Sequence, residues 1–172
     1  MPTPPQPTAR QPHTTPSALA PLRRGLSQLR VGWDAAGATY QNELPAGSGV
    51  VSGYFAFQFR ASVNFLDRCN PSEVPQDFSV TLTDGAANSA TARVSDWSAA
   101  LFYPSCRSPP LSPERPLLPV PKLVLNTGRI PLSAFMAVDL TDIRTVRFDF
   151  DQEPAGALLI ADIAFADAVH PL

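Results

Sequence analysis

From Phe55 to Phe65 the apolar side chains Phe55, Phe57, Phe59, Ala61, Val63 and Phe65 fall on odd positions, and Gln58, Arg60, Ser62 and Asn64 occupy even ones. A helix would spread these phenylalanines around its axis. A period of two puts them on one side of a β-strand and turns the polar groups the other way. The alternation recurs in Phe78-Ser79-Val80-Thr81-Leu82-Thr83, which runs into the turn dipeptide Asp84-Gly85 and predicts a hairpin whose second strand is Ala90 to Val94. Further strands are expected at Leu26 to Trp33, with Leu29, Val31 and Trp33 inward, and at Ala38 to Leu44, Lys122 to Leu125, Arg129 to Phe135, Thr145 to Phe150 and Ala157 to Phe165. The last is apolar on both faces, which predicts a central place in its sheet. Short helical turns are expected only at Leu132 to Met136 and Leu140 to Ile143.

Strands at short spacing with turn chemistry between them specify an all-β fold, an antiparallel two-sheet sandwich. Its expected core holds Phe55, Phe57, Phe59, Val63, Val80, Leu82, Val146, Phe148, Phe150, Ile160 and Ile163. The ends of the chain differ from this middle. Met1 to Pro21 contains seven prolines among Thr, Gln and Ser, too little apolar surface to offset the entropy of ordering it. The division is therefore a disordered Pro/Thr-rich linker over 1–25, the sandwich over 26–167 and a tail over 168–172. A second cluster of seven prolines between Pro104 and Pro121 removes backbone donors and predicts a long surface excursion.

A net charge of −2, with dispersed basic residues, offers no basic face for nucleic acid. No apolar run is long enough to span a bilayer as a helix. Nor does the N-terminus show a charged start followed by an apolar stretch, so no signal peptide is read there. Cys69 and Cys106 lie in proline-flanked, loop-like sequence. They are read as a disulfide in preference to two free thiols, which places the chain in an oxidising compartment.

Catalytic chemistry is scarce. The two histidines, His13 and His170, both fall outside the expected sandwich, so it holds no Ser-His-Asp triad and no Cys-His pair. Asp149 and Asp151 share a strand face, with Asp139 and Asp142 near in sequence, but a solvated polar face accounts for them better than a glycosidase-type carboxylate pair. The domain is read as no enzyme. Aromatics able to stack on a sugar ring are Trp97, Tyr103, Tyr54 and Tyr40, of which Trp97 stands out in the polar run Ser95-Asp96-Trp97-Ser98. The bland alternative for that ring is core packing, and Trp33, in phase with Leu29 and Val31, is assigned there. Arg60, with Gln58 and Asn64, could line a groove on the polar face of the phenylalanine strand. Asp34 and Glu43 flank the second strand, on the side expected to approach the last one.

Several fragments carry a resemblance: Val51-Ser52-Gly53-Tyr54 leading into Phe57-Gln58-Phe59-Arg60, Arg129-Ile130-Pro131-Leu132-Ser133-Ala134-Phe135, Asp139-Leu140-Thr141-Asp142-Ile143 before Val146-Arg147-Phe148-Asp149-Phe150-Asp151, and Gly156 to Phe165. In this order they resemble the galactose-binding-like jelly-roll modules, more narrowly the carbohydrate-binding accessory domains at the C-terminus of secreted bacterial hydrolases. The resemblance implies an extracellular, non-catalytic module that binds a polysaccharide or other polymer beside a hydrolase catalytic domain, or alternatively a support domain without a ligand. It also implies a structural calcium near an apolar-Asp-Asp-apolar final strand. Here the pair reads Ala161-Asp162, so only Asp162 carries over as a metal ligand.

Overall fold

A computed structural model of the protein describes residues 28–45, 47–64, 67–70, 75–101 and 123–167. Eight strands form in chain order: β1 Leu29–Trp33, β2 Ala38–Glu43, β3 Ala56–Val63, β4 Ser79–Asp84, β5 Ser89–Arg93, β6 Asn126–Pro131, β7 Ile143–Phe150 and β8 Gly156–Ala166. They make two antiparallel four-stranded sheets packed as a β-sandwich, ordered β1-β8-β3-β6 and β2-β7-β4-β5. The pairs β1 with β8, β2 with β7, β3 with β6 and β4 with β5 are those of one long hairpin bent at the β4–β5 turn. Rolling that hairpin up brings β3 onto β8 and β4 onto β7 and closes each sheet. This is the jelly-roll connectivity that the resemblance implied.

Between the sheets, Phe57, Phe59, Phe78 and Phe148 are fully buried in one aromatic cluster. Each falls on the core-facing phase, odd positions in β3 and even positions in β7 and in the run that leads into β4. Gly128 stands opposite Phe59 in β6, and the ring lies where a β-carbon would otherwise project. β6 is an edge strand and ends at Pro131, where a missing N–H donor is tolerated. Here the expected boundaries shift: one strand spans Asn126–Pro131, and Leu132–Phe135 winds into a 3-10 turn.

β8 does lie between β1 and β3, but its apolar character on both faces has a second cause. The pairing steps from Gln58 to Arg60 on β3 while β8 advances from Ala164 to Ala161, a bulge containing Asp162 at φ 51°. The extra residue changes the strand's phase, so Leu158 and Ile160 face the core before the bulge and Ile163 and Phe165 after it. Aspartate visits this left-handed conformation more readily than most side chains.

Phe55 does not join the core and is 60% exposed. It precedes β3, with its N–H bonded to the Ala166 carbonyl and its own carbonyl accepting from Leu132. The start of β8 is completed by a side chain: buried Asn70 donates to the Ala157 carbonyl at 2.8 Å and accepts from the Ala157 N–H at 2.8 Å. At the β4–β5 turn Asp84, 3% exposed, accepts from the N–H groups of Ala86, Asn88 and Asp139 and from the Asn88 amide. These donors, the Asp139 N–H foremost, hold its carboxyl below the usual carboxylate range.

Candidate functional site

β4 begins, and β5 and β7 end, at the same edge of the sandwich, because Ser79 pairs with both Arg93 and Asp149. β8 begins there too, since Gly156 pairs with Trp33 at the end of β1. At this end the chain makes a pocket of about 290 Å³, lined by Pro75, Gln76, Asp77, Arg93, Ser95, Ser98, Leu101, Gln152 and Glu153. Its floor follows from the core. Trp33 is buried and stacks on Phe150 with ring centroids 4.7 Å apart, and its indole N–H donates to the Glu153 carbonyl at 3.0 Å, which fixes the β7–β8 turn. Gly156 leaves the space above it open, and the Gln76 side chain fills that space beside the Trp33 ring.

Gln76 is 2% exposed, and neither its amide nitrogen nor its oxygen has a hydrogen-bond partner among the described residues. A buried carboxamide without partners is a costly group to keep. The rest of the pocket wall is well tied. Asp77 accepts from the N–H groups of Phe78 at 2.9 Å and Ser95 at 3.2 Å, and Arg93 lies 3.6 Å from its other oxygen. Arg93 also donates to the Gln152 side chain. Among the described lining residues the charges are a compensated Asp77–Arg93 pair and the Glu153 carboxylate.

Trp97 follows the 3-10 turn Val94–Asp96 and is 48% exposed. It sits in sequence between the lining residues Ser95 and Ser98, with its N–H anchored to the Val94 carbonyl at 3.0 Å. Its ring is thus half exposed, on the loop that contributes Ser95 and Ser98 to the pocket wall, and is not a member of the core. Tyr103, like Cys106, lies outside the described residues. Tyr54 is exposed and packs on Phe165 at 6.2 Å, but it precedes β3 at the far end of the sandwich, where Ala56 pairs with Ala166. Tyr40 is half-buried against Phe148 and donates to Asn42.

Arg60 belongs to neither end. It lies mid-strand on the outer face of its sheet, 3.3 Å from the bulged Asp162, with Gln58 accepting from Arg129 alongside. Arg30, on β1, pairs with Asp67. Asp162 is exposed, and among the described residues no group of three or more His, Cys, Asp or Glu side chains could hold a metal ion. Asp34 is in the β1–β2 turn and Glu43 is set against Thr145, because β2 pairs with β7 in the sheet that does not contain β8. Asp149 accepts from Thr81 and Arg147 on the polar face of its sheet. Cys69 is exposed, and a hydrogen bond to Asp67 pushes its thiol pKa up. Since the thiolate is the reactive form, this disfavours a nucleophilic role.

Sequence reading missed the pocket, though one signal was present: Gln76 falls on the same even phase as Phe78, Val80 and Leu82, a polar residue at a core-facing position. Comparisons with protein-family models, with curated proteins and with solved structures return no match. Function therefore has to be argued from the site and not from the fold.

Proposed function

We propose that this domain is a non-catalytic module that binds a polysaccharide or similar polyhydroxylated polymer at the pocket between the β3–β4 segment and the β7–β8 turn, with Trp97 as its stacking surface. One observation carries the reading: a cavity with Asp77, Arg93, Ser95, Ser98 and Gln152 in its wall adjoins the loop that carries the exposed Trp97. Sugars are recognised by this combination of hydrogen-bonding groups, which fix hydroxyls, and a flat apolar ring, which covers a pyranose face. The strand directions support it. β1 runs toward the pocket and β8 away from it, so the chain enters and leaves the sandwich on the side remote from the cavity. A module linked to an extracellular hydrolase through those segments would present the pocket outward and raise the enzyme's local concentration on its substrate.

The alternative is a support domain without a ligand. Exposed Val50, Tyr54, Phe55 and Met136, all at the end opposite the pocket, favour it as a surface for a neighbouring catalytic domain. Retention on a panel of insoluble polysaccharides and polyesters separates the two. A binding module is retained by at least one, and Trp97→Ala lowers that retention at least tenfold. If the panel retains nothing, or if Trp97→Ala binds as the parent does, the support role takes its place.

A further inference from the structure

Resting on that reading, we propose that Asp77 is a positioning residue for Trp97: its carboxylate fastens the turn that carries the indole to the segment entering β4, and so holds the ring ready to stack on a sugar. The turn needs such a fastening. Val94–Asp96 is a single 3-10 turn, and the first N–H groups of a helical turn have no partner within it. Arg93, at the capping position, makes no side-chain hydrogen bond to them, because a guanidinium carries donors and no acceptor. The two leading N–H groups are met from outside the turn instead. Val94 donates to the Phe78 carbonyl at 3.0 Å and Ser95 donates to the Asp77 carboxylate at 3.2 Å.

Asp77 is itself held in place. The oxygen that accepts from Ser95 also accepts from the Phe78 N–H at 2.9 Å, and Arg93 lies 3.6 Å from the other. Arg93 donates onward to the Gln152 side chain, which donates to Asp151 at 2.7 Å, so the carboxylate is braced from the β7–β8 turn. On the far side of the 3-10 turn the Val94 carbonyl accepts from Trp97 at 3.0 Å and from Ser98 at 2.9 Å, and Ser98 Oγ accepts from the Ala100 N–H at 3.1 Å. The Val94 side chain is fully buried. The Trp97 backbone therefore lies inside a tied frame, which the Ser95 bond joins to a segment 18 residues away. An indole fixed before its ligand arrives loses less conformational freedom on binding than one on a free loop.

Asp77 also lines the pocket, so the rival account is direct contact with the ligand, and a double-mutant cycle separates the two. Depletion isotherms on insoluble cellulose, xylan, mannan, chitin and starch are measured for the whole chain and for Asp77→Ala, Trp97→Ala and the double variant. On a polymer that retains the parent, Asp77→Ala should weaken binding about threefold to tenfold, and the double variant should bind no more weakly than Trp97→Ala alone. Asp77→Asn, which keeps an oxygen acceptor for Ser95, should bind as the parent does. Without ligand, 15N relaxation should show lower amide order parameters at Ser95, Trp97 and Ser98 in Asp77→Ala, restored in Asp77→Asn, with Leu82 and Phe148 unchanged. Asp77→Ser, which keeps a local acceptor for Phe78, replaces Asp77→Ala if that variant does not fold. Parental order at Ser95, Trp97 and Ser98 in the folded variant overturns the positioning role, whatever the domain binds. A loss in the double variant beyond that of Trp97→Ala overturns action through Trp97 and leaves the binding function standing, and Asp77→Asn as weak as Asp77→Ala overturns the hydrogen bond as its cause. If no polymer retains the parent, the binding reading falls and the positioning role, left without a ligand to serve, falls with it.

Discussion

Replacing Gln76 with methionine should make the domain more stable, an unusual expectation for a residue 2% exposed. Most core substitutions destabilise, because they leave a cavity or orphan a partner. Here no partner among the described residues is left behind, since neither amide atom is bonded to one. Methionine keeps the unbranched reach needed to lie over Gly156 beside Trp33 and removes two polar atoms from an apolar setting. Each unmet buried polar group costs about 1–3 kcal/mol. Allowing for imperfect repacking, the net gain should be about 1–2 kcal/mol, and for a domain of this size each kcal/mol raises Tm by about 2–4 °C. Urea unfolding followed by tryptophan fluorescence reads the change as a higher midpoint with an unchanged slope, because the surface exposed on unfolding is the same. Trp33, stacked beneath the substituted residue, supplies the signal. A fall in stability of 1 kcal/mol or more would refute the reasoning, because it would mean the carboxamide is satisfied in the folded protein.

Three further outcomes follow from the same packing. Gly156→Ala drives a methyl group into Gln76 Oε1 and the Trp33 ring, so it should cost about 1–3 kcal/mol in urea melts. Because its folded-state pKa is depressed, Asp84 contributes stability above its ordinary value near 3.8 and loses it as pH falls through the lower folded value. Parental stability from urea melts should drop below about pH 4, and the drop should be shallower in Asp84→Asn. Asp162 pairs with Arg60, so EDTA should leave Tm unchanged, and a drop would restore calcium; Asp162→Ala should cost about 1–2 kcal/mol for its left-handed backbone, and Asp162→Gly less.

The fold was legible because alternation maps directly onto faces. Phe57, Phe59, Ala61 and Val63 fill the odd phase of β3 and are buried as expected, as are Val80, Leu82, Val146, Phe148, Phe150 and Ile160. Phe55 shares that phase but lies before the strand, where the chain turns to pair with Ala166 and Leu132, so periodicity alone could not place it. Likewise, Asp162 was conspicuous in an apolar run, yet the cause is conformational, a bulge residue at φ 51° whose carboxylate meets Arg60. Trp97 could be singled out from its polar neighbours. The pocket could not, because Gln76, Arg93, Ser98 and Glu153 come from separate segments that only the rolled-up pairing of β4, β5, β7 and β8 brings together.

The most direct test of a binding pocket at this end of the sandwich is a 15N NMR titration with soluble oligosaccharides. If the account holds, saturable shifts will concentrate on the Trp97 indole N–H and the backbone of Arg93, Ser95, Ser98 and Glu153, while Tyr54 and Phe55 at the far end stay still. Shifts gathered instead around Tyr54, Phe55 and Arg60, or no shift with any sugar, would contradict it.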